Sequence, residues 1–213
     1  MPGSGAEKRA TAGLPLIGEE VYLRALTGYL VGSELLCGAG RVALVPLNDR
    51  ICLSPSAAIA AAYWSKSGLK EGVVAVFEYN QSNPSETADR VLKWGPDTIA
   101  ILFGGESRLG DVNRYAIDFL RALRDRGFKG RLVIHVRTWL ATKGLENVLA
   151  DPELARYLES LPEIRVFTAN LDAKKFYYSR VAVSAGKASL QTLAESNLNN
   201  EHVSLLRNSL PPP

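Results

Sequence analysis

Cysteine is nearly missing from this chain: Cys37 and Cys52 are the only two, both in apolar surroundings and in neither C-x-x-C nor metal-ligand spacing. That excludes a disulfide scaffold and reads as buried thiols in a reducing cytosol, and nothing in the sequence forces a bridge between them. Histidine is as scarce. His135 and His202 lack the neighbours of a catalytic or metal site, so no metal is expected. No Ser/His/Asp or Cys/His triad can be assembled from the spacing, and no G-x-S-x-G elbow is present. No apolar run approaches the ~20 residues that cross a bilayer, and Met1 to Gly13 is a polar tail without a signal-peptide core. The expectation is a cytoplasmic protein with no membrane partner. An excess of one charge is also lacking, because 25 Lys and Arg against 22 Asp and Glu leave a net charge of +3, which permits nucleic acid without demanding it. No internal repeat of 20 to 50 residues is seen.

What the chain has is apolar content, 46% of 213 residues, enough to bury a full core. Glu19 to Cys37 has helical spacing weakened by Gly28 and Gly32, which predicts a helix, broken or whole. Val42 to Leu47 and Ile51 to Leu53 flank Asn48-Asp49-Arg50 and read as a hairpin or two sequential strands, with Ser54-Pro55 opening a helix. Gly72 to Tyr79 reads as a buried strand. A helix from Asn83-Pro84 to Trp94, a strand Thr98 to Phe103, a helix Asp111 to Arg126 and a strand Arg131 to Arg137 follow, the last carrying His135 in mid-strand. Beyond a helical stretch Leu140 to Leu161, interrupted at Asp151-Pro152, come strands Ile164 to Phe167, Lys175 to Tyr178 and Arg180 to Ser184, then a last helix Leu190 to Leu198. Alternating strands and helices predict an α/β fold, a mostly parallel sheet flanked by helices on both faces. The boundaries read as a tail over 1–13, an α/β segment over 14–79 on the same core, a unit over 80–207, and a Pro-rich tail over 208–213.

One stretch of the C-terminal half carries a spacing with a chemical meaning. Asp172-Ala173-Lys174, then Ser179, a strand, and Gly186-Lys187-Ala188-Ser189-Leu190 follow the spacing His-x-Lys-x4-Asp and Gly-Ser-x-Asn. In that respect the chain resembles a single half of the phospholipase D-like superfamily. Lys174, Gly186, Ala188 and Leu190 agree with the signature. Asp172 stands at the nucleophile position, Ser179 at the Asp position, Lys187 at the phosphate-contacting Ser and Ser189 at the Asn. The resemblance implies a unit over 80–207 that pairs with a second copy, since no second half is encoded. Glu201 and His202 would close the site, and no metal or cofactor is required.

A carboxylate at Asp172 would form only a mixed anhydride and would repel an anionic substrate, so hydrolysis by the family route is not expected. Lys174 and Lys187, with Ser189, would still hold a phosphate. The bland alternative is an ion pair of Asp172 with Lys174 or Lys187 in a decayed site. Two further candidates come from the residues alone. Arg121 and Arg124 share a helix face and could contact phosphates, against the competing reading of a solvated face with Asp118 and Asp125 interleaved. The loop Phe103 to Asp111 holds Gly104, Gly105 and Gly110 at a strand end, although it is neither G-x-G-x-x-G nor a P-loop and reads first as an ordinary connection. The function expected is a catalytically degenerate phospholipase D-like module binding a phosphate-bearing ligand, foremost nucleic acid, as a homodimer. The alternatives are a phosphodiesterase or nuclease with altered active-site chemistry and a dimeric scaffold.

Overall fold

The computed structural model describes residues 17–68 and 70–209. The expected tail over 1–13 and most of the one over 208–213 lie outside the described residues. The order of elements is α1 (Ile17–Glu34), β1 (Val42–Pro46), α2 (Arg50–Lys66), β2 (Val74–Val76), α3 (Pro84–Trp94), β3 (Thr98–Leu102), α4 (Leu109–Asp125) and β4 (Arg131–Ile134). It continues with α5 (Val136–Ala141), α6 (Glu146–Leu149), α7 (Pro152–Ser160), β5 (Ile164–Asn170), β6 (Lys175–Ser184), β7 (Lys187–Asn197) and α8 (Asn200–Ser209). The strands form one sheet in the order β2-β1-β3-β4-β5-β6-β7. Its first five strands run parallel, and β6 and β7 add on antiparallel.

Strands β1, β3 and β4 are apolar on both faces because helices cover both, whereas the buried strand expected over Gly72 to Tyr79 is the edge strand β2, only Val74–Val76 long and with Val76 48% exposed. Along β1, Ala43 and Val45 join the core under α3, α4, α6 and α7, while Val42 and Leu44 join the core under α1, α2 and α8. This two-faced cover bears out the α/β fold with a mostly parallel sheet. It also places β1 and β3 side by side with their crossovers on opposite faces, the arrangement that opens a crevice beyond the carboxyl ends of the strands.

Local sequence signals hold where side chain and backbone agree. Asn83 caps α3 through the Glu86 amide at 3.2 Å, and Gly95 closes it in the left-handed conformation. Three expectations are corrected. The strand expected at Ile51 to Leu53 is the first turn of α2: Asp49 accepts from the Cys52 amide at 2.7 Å and caps the helix, placing Pro55 inside it. The Ser54 hydroxyl, free of capping duty, donates to the Val21 carbonyl of α1 at 2.6 Å. The helix expected at Leu190 to Leu198 is strand β7, held by its ladder with β6. Its residues suit a helix, and the tertiary pairing overrides them. The strand expected to reach Arg137 stops at Ile134, and His135 caps α5 by accepting from the Arg137 amide at 3.2 Å.

Helix α1 is unbroken despite its glycines. A Cβ on Gly28 would lie 2.6 Å from the Pro55 carbonyl, and one on Gly32 2.6 Å from that of Ile59, so both glycines let α1 lie directly against α2.

Candidate ligand site at the carboxyl ends of the strands

Three parallel strands end near one another, and the loops after them hold the polar groups. After β1, Asp49 sits at the head of α2. After β3, Gly105 takes φ 55°, and a Cβ there would collide with the Asp49 carboxylate, so glycine is needed at this position on two counts. Glu106 of the same loop pairs with Arg50 at 3.0 Å, tying the β1 and β3 loops together. After β4, the Arg137 side chain runs along Gly104, where an added Cβ would come within 3.0 Å of it, and one of its terminal nitrogens donates to the Ser107 carbonyl at 3.5 Å.

Above these loops lies α1. Its buried positions, Glu20, Leu23, Arg24, Thr27, Gly28, Val31 and Gly32, follow the helical repeat, so two charged residues fall on the inward stripe. They neutralise each other: Arg24 donates to Glu20 at 3.0 Å, and both are nearly buried. Thr27 meets the His202 Nε2 of α8 at 3.1 Å, which fixes the closing helix against α1.

Between α1, α5, α8 and the ends of β4 and β5 is a cavity of about 240 Å³. Its walls are apolar, with Phe167, Phe176, Trp139 and Leu206 prominent, and its charged lining groups are Arg24 and Arg137. Arg137 is half-buried and has no carboxylate partner among the described residues, and its Nε and that of Arg24 are buried without a hydrogen-bond partner there. Burial, and then the neighbouring Arg24 charge, push the Arg137 guanidinium below the usual arginine range. His135, beneath it, is fully buried against Phe167, and burial first, then the Arg24 and Arg137 charges, lower its pKa to about 3. It is therefore a neutral capping residue at ordinary pH. Burial likewise lowers the His202 pKa.

The residues singled out in the sequence are not brought together. Lys174 lies in the turn before β6, with Nζ donating to Asn200 at 2.9 Å. Lys187 opens β7 opposite Ser184, at the other end of the hairpin, and is exposed. With 10 residues in β6, those two ends are about 30 Å apart, so the cationic hollow expected from the two lysines does not form. Ser189 is exposed opposite Ala182. Asp172 pairs with neither lysine, but with Arg207 at 3.2 Å, and its side chain is 97% exposed. Glu201 is exposed in the first turn of α8, whereas His202 is buried against α1 and Phe176. Arg121 is held by Asp151 at 2.9 Å and Arg124 by Glu153 at 2.7 Å, so the stripe on α4 is neutralised by acids. Among the described residues no group of three or more His, Cys, Asp and Glu is placed to hold a metal.

Glu20, Arg24, Thr27 and Thr168 went unmarked in the sequence, and Arg137 stood out only as one of several basic residues. A signal was present in the first two: an oppositely charged pair four residues apart on the apolar stripe of a helix.

A family model described as "Uncharacterized protein" matches residues 20–205. The chain belongs to that family. No curated protein matches it. Among solved structures, it is similar to an extracellular ligand-binding receptor from Verminephrobacter eiseniae EF01-2, at 11% identity and a TM-score of 0.42 over 71% of this chain and 37% of that one. It is similar to the Escherichia coli transcriptional repressor AscG, at 15% identity and a TM-score of 0.41 over 68% of this chain and 48% of that one. A LacI family transcriptional regulator from Enterococcus faecium with bound ribose is similar at 13% identity and a TM-score of 0.41, over 67% of this chain and 46% of that one. The chain thus spans less than half the length of each of these structures.

The resemblance drawn from the motif is corrected by the geometry: the matching family model is described only as "Uncharacterized protein", and the motif residues form no common site, since Asp172, Lys187 and Ser189 are exposed, Ser179 is buried in β6, and Lys174 and Lys187 lie at opposite ends of the hairpin. The reading as a degenerate phosphodiesterase module that binds nucleic acid goes with it, and the homodimer expected by analogy loses that analogy as support. Among the described residues no helix is long and apolar enough to cross a membrane.

Proposed function

We propose that this protein binds a small molecule in the cavity between α1, α5, α8 and the ends of β4 and β5. The observation that carries the reading is the cavity itself: about 240 Å³ walled by Trp139, Phe167 and Phe176, at the carboxyl edge of a parallel sheet. Other hollows are more open, such as the shallow groove along α1 lined by Ala25, Tyr29 and Asn197 or the polar cleft around Asn80 and Gln81. A ligand bound in the cavity touches the strand ends, α1 and α8 together, so occupancy couples to folding. We also place the protein in the cytoplasm, a reading supported by two free thiols, Cys37 exposed and Cys52 buried.

The test is thermal unfolding against a panel of small aromatic and aliphatic compounds. A ligand at 100 times its Kd raises stability by about 2.7 kcal/mol, and Ala169→Trp, which fills the mouth of the cavity, abolishes the shift. If ligands stabilise the Ala169→Trp protein as well as the wild type, the site is elsewhere.

A further inference from the structure

We infer that the ligand of this cavity is a carboxylic acid, its carboxylate held by the Arg137 guanidinium and its apolar body lodged against Phe167, Phe176 and Trp139. The inference rests on the cavity being the binding site and names the class of molecule that fits it.

Charge selects the sign. Among the described residues the cavity is lined by two arginines and by no aspartate or glutamate, so an amine would meet no counter-charge in that lining. Arg24 is already answered by Glu20 at 3.0 Å. Arg137 keeps one long hydrogen bond, 3.5 Å to the Ser107 carbonyl, and has no carboxylate partner among the described residues. A half-buried guanidinium with most of its donors unused is an incomplete pair, and a partner that fits its planar fork is a carboxylate held bidentately.

The lining selects the rest of the molecule. Beyond the arginines, the polar groups among the described lining residues are the Trp139 indole N–H and the hydroxyls of Thr27, Thr168 and Ser209, and the Thr27 hydroxyl is engaged with His202. That leaves few donors for a polyol or for a phosphate with three oxygens, while the aromatic walls suit a phenyl or short alkyl body. Position is fixed from behind: Gly104 lets the Arg137 stem lie flat on the β3 loop, and a side chain there would push it away. Burial, and then the Arg24 charge, disfavour the Arg137 charge more than the nearby Glu20 and Asp49 carboxylates favour it, a cost that an anion in direct contact offsets.

Calorimetric titration of the full chain with phenylacetate, phenylacetamide and phenethylamine decides the question. The acid is expected to bind about tenfold to a hundredfold more tightly than the amide, the range of charge-assisted hydrogen bonds, and the amine more weakly than both. Arg137→Gln should erase the preference for the acid and leave the amide affinity in place. Arg137→Lys, which keeps the charge and loses the fork, should retain part of the preference and guards against a Gln variant that does not fold. Equal affinities for acid and amide, or an acid preference that survives in Arg137→Gln, would overturn the carboxylate inference while leaving the cavity reading intact. No binding of any of the three up to about 10 mM would overturn both.

Discussion

The parallel part of the sheet and its antiparallel hairpin obey different rules. Strands β1, β3 and β4 are covered on both faces, and their loops end in one place, where Asp49, Gly105, His135 and Arg137 meet. Hairpin β6–β7 is half out of the protein: Phe176, Tyr178 and Val181 reach the cores, but almost every residue of β7 is exposed, including Leu190 and Leu193. Spacing along a parallel strand and its loop therefore converges on a site. Spacing along an extended hairpin separates residues by about 3.3 Å each, so thirteen positions place Lys174 and Lys187 at opposite ends.

The comparison can be broken first by volume. Phe119→Ala, in the core under α4, is expected to cost about 3–5 kcal/mol in urea denaturation. Gly32→Val, at the contact of α1 with α2, should cost about 1–3 kcal/mol or more, because its Cβ would meet the backbone of Ile59.

A sharper probe is pH. The folded-state pKa of His135, about 3, lies below the ordinary value of 6.5, so its contribution to stability is present above pH 6.5 and is lost as pH falls from there toward 3. The slope is at most roughly 1.4 kcal/mol per pH unit, with buried His202 acting in the same direction. His135→Asn, which can still cap α5, should flatten the acid limb of a Tm-against-pH curve.

Smaller still, Asn83→Ala should cost about 1 kcal/mol through loss of the α3 cap, read from the same denaturation curves. On the hairpin and its turns, Asp172→Ala, Lys187→Ala and Ser189→Ala should each change stability by less than about 0.5 kcal/mol and leave ligand affinity unaltered. A large loss of ligand affinity from any of these three would reverse the contrast between the two regions.

Much of the fold was legible because short-range chemistry specified it. Asn83-Pro84 with Gly95 set both ends of α3, and the runs Thr98 to Leu102 and Ile164 to Phe167 could only be buried strands once helices alternated with them. Strand β7 was not legible, since Ala188, Leu190, Gln191 and Leu193 suit a helix and only the ladder to β6 holds them extended. The start of α2 was hidden for a related reason. Asp49 caps it one turn before Ser54-Pro55, whose signal is stronger in isolation. The candidate site was almost wholly illegible, because Arg24 and Arg137 lie 113 positions apart and neither sits in a motif.

By itself, then, the amino-acid sequence determined the layered α/β architecture, since caps, glycines and apolar runs act within a few residues of one another. Tertiary structure alone decided which cation is left without a partner. Glu20 reaches Arg24 across one helical turn, whereas Arg137 arrives from the end of β4 at a largely apolar wall in which no carboxylate lies among the described residues, and that difference exists only once the strands are laid side by side.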